Sequence, residues 1–345
     1  MSNLRIPAFF LALFLFSASC KKATSSDSGN SQAPTNLSVS AAVSPDSSGT
    51  VLFTSTANNA TSYSYDFGDG NSKTTSKDTL TYKYSSLGTN TYTVTVTAYS
   101  ASGLSAQKSI PVTVNVASFY NTLLWSDEFS TDGPPDSTKW GYDIGNNYGW
   151  GNSELEYYTS RPQNVIVQNG VLKIYALKES YNGYSYTSGR MNTLNKFSFT
   201  YGRVDISAQL PASIGTSPSL WMLGSNIASV GWPACGEIDL MNETGKGLNA
   251  IYGSLEYVGK DTGNTTLISN SSTAYHKYSL QWSPTTISIY VDDVSYFTFA
   301  NSSGTPFNLD FFFIFNIAMG GAFGGAVDPG FTKDSMMVDY IRVYH

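Results

Sequence analysis

Alternation of apolar and polar positions runs through this chain from about residue 37 to its end, with almost no helical periodicity. Between Leu37 and Val116 the alternating runs are short: Val51-Leu52-Phe53-Thr54, Tyr63-Ser64-Tyr65-Asp66-Phe67 and Tyr92-Thr93-Val94-Thr95-Val96-Thr97, spaced by Gly, Asn and Ser turns. That rhythm predicts a small β-sandwich over residues 37–117. From 120 to 345 the runs are longer and more numerous. Candidate strands cover 165–167, 171–176, 197–209, 237–241, 250–256, 277–282, 286–291, 311–319 and 337–344, without β-α-β alternation, which predicts a two-sheet jelly roll. The chain is therefore expected to be all-β. Its first residues follow another pattern: Arg5, an apolar run from Ile6 to Phe16, then Ser17-Ala18-Ser19-Cys20. The run is too short to span a bilayer and has the form of a secretory signal over residues 1–20. Residues 21–36, rich in Ser, Thr, Gly, Asn and Asp, cannot bury enough apolar surface to fold and are expected to form a flexible tether.

Composition narrows the chemistry. The formal net charge is -6 and the basic residues are scattered, so the electrostatic footprint of a nucleic-acid binder is missing. The two histidines, His276 and His345, leave little for a His-rich zinc site or a Ser-His or Cys-His pair. With only Cys20 and Cys235, disulfides are not part of the design. Against this, 24 Tyr and 6 Trp are abundant, and their faces suit stacking on the apolar faces of sugars.

Candidate chemistry concentrates in Gly236-Glu237-Ile238-Asp239-Leu240-Met241-Asn242-Glu243. Glu237 and Asp239 alternate, so on a strand both side chains leave one face. Leu240 and Met241 break the alternation, and a β-bulge there returns Asn242 to that face. Without a bulge Glu243 returns instead, with its Cα about 20 Å from that of Glu237 at about 3.3 Å per residue. That is too far for the pair to flank one glycosidic bond, since the two carboxyls of a retaining glycosidase stand about 5 to 5.5 Å apart.

Three segments carry family resemblances. Small residues immediately before Cys20 resemble the lipobox of a bacterial lipoprotein, which implies acylation of Cys20 and lipid anchoring at the outer membrane or cell surface. Tyr65-Asp66-Phe67-Gly68-Asp69-Gly70, with Tyr82 to Tyr84, Gly88 and Tyr92 to Val96, resembles the polycystic kidney disease (PKD) domain, an immunoglobulin-like sandwich. Asp66 and Asp69 there read as turn formers, and the domain as a spacer. Residues 120–345 resemble a family 16 glycoside hydrolase of the laminarinase type, a jelly roll of the concanavalin A-like kind. The resemblance rests on Leu124 to Phe129, Trp150 to Thr159, Tyr186 to Arg190, Tyr201 to Val204, Leu220 to Gly224, Trp232 to Glu237 and Val338 to Tyr344.

The resemblance implies the motif E-x-D-x-x-E, nucleophile, assisting aspartate and acid/base. The first two fall on Glu237 and Asp239, and the acid/base position is Asn242, with no gap needed up to Tyr252-Gly253-Ser254-Leu255. A carboxamide donates no proton to a leaving oxygen, and general acid/base help is typically worth about 10²- to 10⁴-fold. Other departures are Glu256 for a cleft histidine, Ser217 for a tryptophan, and Phe323 for the tryptophan of the Gly320-Gly321 loop. The resemblance also implies Trp221 and Trp232 as stacking platforms, and Asn152, Glu154, Arg190 and Asn316 as partners of sugar hydroxyls. It further implies a structural calcium ion involving Glu128 and Asp339, and no other cofactor.

On this reading the sequence favours a surface-anchored β-1,3-glucan (laminarin) binding protein on a hydrolase scaffold, catalytically impaired at Asn242. The alternative is an active retaining endo-β-1,3-glucanase, or β-1,3/1,4-glucanase, in which Glu256 or Glu243 replaces the missing acid/base. The separation of Glu237 from Glu256 decides between them. A sulfated or galactan substrate is disfavoured, because the cleft segments hold little positive charge beyond Arg190. The implied partners are β-glucan, a membrane through Cys20 and, as an open question, a glycan-uptake transporter complex.

Overall fold

A computed structural model describes residues 32–45, 47–117 and 120–345. The signal, Cys20 and most of the tether lie outside the described residues. No helix among the described residues is long and apolar enough to cross a membrane.

The first sandwich packs a three-stranded sheet, ordered Thr35–Val43, Thr50–Asn58, Thr79–Lys83, on a four-stranded one, ordered Ser72–Thr75, Ser62–Asp66, Gly88–Tyr99, Ser105–Val116. Alternate residues of these strands, among them Val51, Phe53, Tyr65, Val94, Val96 and Val112, fill its core. Both aspartates of the D-F-G-D-G turn act locally. Asp66 Oδ1 accepts from Gly68 N at 3.0 Å and Asp69 Oδ1 from Asn71 N at 3.1 Å. Gly68 has φ +78°, and a Cβ there would stand 2.7 Å from the Thr93 carbonyl oxygen.

The larger unit has a ten-stranded and a seven-stranded antiparallel-rich sheet, the jelly roll expected from the pattern. The seven-stranded sheet positions the site. Its order is Lys260–Leu267, Ala250–Tyr257, Glu237–Glu243, Thr216–Gly224, Phe311–Met319, Arg190–Asn192, Gly141–Tyr142. Strand Phe311–Met319 is buried throughout, and its alternation has a different job on each face. Phe311, Phe313, Phe315, Ile317 and Met319 enter the main core. Phe312 and Ile314 join Leu223 and Cys235 in a second apolar cluster behind the segment leading to Glu237. Asn316 and Ala318 continue that second face into a cleft.

The two units touch away from that cleft. Leu87 N donates to Asp293 O at 2.9 Å in the turn joining Thr286–Val291 to Val294–Ala300, both strands of the ten-stranded sheet. Thr122 and His345 exchange backbone hydrogen bonds of 3.1 and 2.8 Å, fastening the start of the larger unit to its C-terminus.

Candidate active site

A cleft of about 550 Å³ crosses the seven-stranded sheet. Its lining includes Asn152, Glu154, Arg190, Trp221, Trp232, Glu237, Asp239, Asn242, Glu256, Asn316 and Phe323, all singled out in the sequence. It also includes Trp150 and Asp261, which were not. Trp150 lies inside a quoted motif, so a signal existed. Asp261 is isolated in sequence and reaches the cleft by pairing across from Glu256 on the edge strand.

The bulge decides which residues of Glu237–Glu243 face the cleft. Pairing with Ala250–Tyr257 shifts register between Asp239 and Asn242, and pairing with Thr216–Gly224 runs from Leu220↔Met241 to Trp221↔Asp239, leaving Leu240 as the extra residue. Ile238, Leu240 and Met241 are in the core, while Glu237, Asp239 and Asn242 line the cleft. Glu243 is turned the other way and is 2% exposed, its Oε1 accepting from Asn249 N at 2.6 Å and Ser271 Oγ at 3.0 Å. Glu243 therefore cannot replace the acid/base, which corrects one of the two substitutes the sequence offered. Gly236, immediately before the strand, has φ +82°, and a Cβ there would stand 2.8 Å from Pro306. Only glycine turns the chain into the strand so close to that ring.

Glu256 lies directly opposite Glu237 on the neighbouring strand. One carboxylate oxygen from each of Glu237, Asp239 and Glu256 lies within 4.8 Å of the other two. Trp232 Nε1 donates to Glu237 Oε2 at 2.6 Å, and Ser254 Oγ to Asp239 Oδ2 at 2.5 Å. Burial and the facing charges of Asp239 and Glu256 hold the Glu237 carboxyl well above the usual carboxylate range. Burial raises Asp239 to about 6, opposed by hydrogen bonds from Ser254, Asn242 and Glu237. Burial, then Asp239 and Asp261, raise Glu256 to about 7. Crowding of the three carboxyls favours a shared proton among them, and Glu256, raised to about 7, is the member that can carry one near neutrality, as an acid catalyst requires.

The other half of the cleft is differently built. The Arg190 guanidinium carbon lies 4.4 Å from the Trp150 ring centroid and 4.8 Å from that of Trp221, and its Nε donates to Asp143 at 2.9 Å. Trp221 Nε1 donates to Asn316 Oδ1 at 2.8 Å, and Asn316 Nδ2 to the Tyr158 hydroxyl at 3.1 Å. Tyr158 in turn donates to Glu154 Oε2 at 3.1 Å, while Asn152 Nδ2 is 3.4 Å from Glu154 Oε1. Asn316 is 3% exposed with both ends of its carboxamide engaged, so it braces the cleft wall rather than offering a free group to a sugar. Trp232 is 57% exposed, which leaves a ring face for stacking.

Glu128, suggested for calcium, gives both oxygens to Arg342, Nε at 2.9 Å and Nη2 at 2.8 Å. A hard cation needs those oxygens, so Glu128 as arranged does not fit a calcium site with Asp339.

The family model for glycosyl hydrolases family 16 matches residues 152–342, and that for the PKD domain residues 24–116. The chain is 42% identical over 242 residues to the beta-glucanase of Rhodothermus marinus, covering 64% of this chain and 84% of that protein. It is 36% identical over 256 residues to glucan endo-1,3-beta-glucosidase A1 of Niallia circulans, covering 64% of this chain and 37% of that one. Among solved structures, a LamA variant of Zobellia galactanivorans in complex with laminaritriose and laminaritetraose superposes with a TM-score of 0.62 at 39% identity, covering 66% of this chain and 100% of that chain.

Proposed function

We propose that this chain, which belongs to glycosyl hydrolases family 16, recognises β-1,3-glucan in its cleft and cleaves it with retention, Glu237 acting as nucleophile and Glu256 as proton donor. One observation carries the reading: Glu256 stands directly across from Glu237, with one carboxylate oxygen of each within 4.8 Å of the other, so the two are close enough to act on one glycosidic bond. In the first step Glu237 attacks the anomeric carbon, the glycosidic C–O bond breaks, and the Glu256 proton passes to the leaving oxygen. Ionised Glu256 then takes a proton from water, whose oxygen displaces Glu237 and restores both groups. Asp239, hydrogen-bonded to Glu237, orients the nucleophile. The names of the relatives, a beta-glucanase and a glucan endo-1,3-beta-glucosidase, support the substrate class.

The impaired binder favoured by the sequence remains the second reading, and Asn242 in the cleft is the observation behind it. Incubating the purified chain with laminarin, with product measured as reducing ends and affinity by native gel, separates the two. Turnover lost in both Glu237→Gln and Glu256→Gln supports the hydrolase. Gel retardation by the unaltered chain with no product overturns it in favour of the binder. An aryl β-glucoside needs little acid help, so azide should restore its turnover in Glu256→Gln, giving a β-glycosyl azide, and not in Glu237→Gln.

Attachment at the outer membrane or cell surface through Cys20, with the PKD domain as spacer, completes the proposal. Its support is the sequence around Cys20. Labelled palmitate should enter the expressed protein and fail to enter Cys20→Ala; equal labelling would remove the anchor.

A further inference from the structure

Glu156 is fully buried in strand Glu156–Tyr158, beneath the cleft and outside its lining. Its Oε2 accepts from Met319 N at 2.6 Å, and its Oε1 is buried without a hydrogen-bond partner among the described residues. A buried carboxylate oxygen left so is costly, whereas a carboxylic acid there carries a proton to donate. Glu154, two residues earlier, is the cleft carboxylate nearest in sequence. It already ends a chain of donors that all point towards it, Trp221 to Asn316 to Tyr158 to Glu154. Asn146 ties the two residues together, its Nδ2 donating to the backbone oxygens of Glu154 at 3.0 Å and Glu156 at 2.8 Å.

We propose that Glu156 is a positioning residue for Glu154: its neutral carboxyl donates from Oε1 to Glu154, keeping that side chain aimed at sugar hydroxyls in the cleft. Through Met319 N the same group steadies the end of strand Phe311–Met319 just before the turn that carries Phe323. Burial, reinforced by the charge of Glu154, holds Glu156 well above the usual carboxylate range, as the assignment requires. The titratable groups around it are Glu154 and Tyr158 on its own segment, Tyr186 paired with it on Tyr184–Ser188, and Arg190 with Asp143 beyond the Tyr158 ring. The role of Glu154 in holding glucan rests on the function proposed above.

Calorimetric titration of laminari-oligosaccharides across pH tests the inference on the full chain. Glu156→Gln, whose amide can donate to Glu154 and accept from Met319, should bind as the unaltered chain does at neutral pH. Glu156→Leu should bind about tenfold more weakly, as loss of a hydrogen bond to a charged group predicts. Raising pH should weaken binding by the unaltered chain as Glu156 gives up its proton, and should weaken Glu156→Gln less. Equal losses in Gln and Leu variants, or identical pH profiles for Gln and the unaltered chain, would overturn the proposal. If the unaltered chain binds no laminarin, the functional reading fails by itself, and melting curves then test the proton. A carboxyl raised by burial stabilises the fold below its unfolded value and loses that contribution as pH rises through its folded value. The melting temperature of the unaltered chain should therefore fall more steeply with pH than that of Glu156→Gln; parallel curves would overturn the assignment.

Discussion

The two halves of the cleft lie on either side of strand Glu237–Glu243 and are stabilised in opposite ways. Towards Thr216–Gly224, Phe311–Met319 and Arg190–Asn192, a guanidinium lies over two indole rings and directional hydrogen bonds run from Trp221 to Glu154. Towards Ala250–Tyr257 and Lys260–Leu267, Glu256 and Asp261 face Glu237 and Asp239 across the cleft, their charges crowding one another. A network whose polar groups satisfy one another is rigid and suits holding a sugar in one pose. A cluster of carboxylates forced to keep protons near neutrality suits moving them. On the function proposed above, the contrast assigns binding and proton chemistry to different strands, so each half should be open to disabling without the other.

The largest effect should come from the acidic half. Glu256→Gln is expected to lower turnover of laminarin by about 10²- to 10⁴-fold while leaving affinity nearly unchanged. The pH profile carries the assignment. A general acid works only while protonated, so turnover by the unaltered chain should fall as pH rises past about 7, the value to which Glu256 is raised. Residual turnover by Glu256→Gln should lack that alkaline limb. An unchanged limb in the variant would give the proton to another group and remove Glu256 from the mechanism.

Much of this contrast was legible in the sequence, for local reasons. Alternation gave the strands, and its interruption at Leu240-Met241 gave the bulge that turns Asn242 to the cleft and Glu243 to the core. What stayed hidden depends on register between strands distant in sequence. Nothing in the spacing of Glu237 and Glu256 says that they pair, and Asp261 enters the cleft only because its strand pairs with that of Glu256. Arg190 and Asn316 line the cleft, yet their partners Asp143, Trp150 and Tyr158 come from segments that converge only in the fold.

The binding half should respond in affinity alone. Trp221→Ala removes one of the two indole rings over Arg190 and the first donor of the chain leading to Glu154. Aromatic contacts of this kind are worth about 0.5 to 1.5 kcal/mol, so laminari-oligosaccharide affinity should fall by about two- to tenfold. The alkaline limb of the pH profile should stay where it is. Should Trp221→Ala shift that limb, the two halves are coupled and their separation is wrong.

Asn242→Glu should have the smallest effect, and it bears most directly on how the acidic half works. If Glu256 already donates the proton, a carboxylate at 242 adds a second acid to a filled role. It also removes the Asn242 hydrogen bond that opposes the rise of Asp239 and puts another negative charge beside it. Like charges at this range disfavour ionisation of one another, so the Glu237–Asp239 pair should hold its protons to higher pH and the acid limb of turnover should move up. Turnover at its optimum should change by less than about tenfold, below the usual range for gaining or losing a general acid. A gain of about 10² or more would mean that position 242 lacked the proton donor and that Glu256 had not supplied it. Steady-state kinetics on laminarin for Asn242→Glu, alone and combined with Glu256→Gln, separates these outcomes: rescue of the Glu256→Gln loss by the added Glu, with little effect of that Glu alone, is the result expected if the acid/base has moved across the cleft.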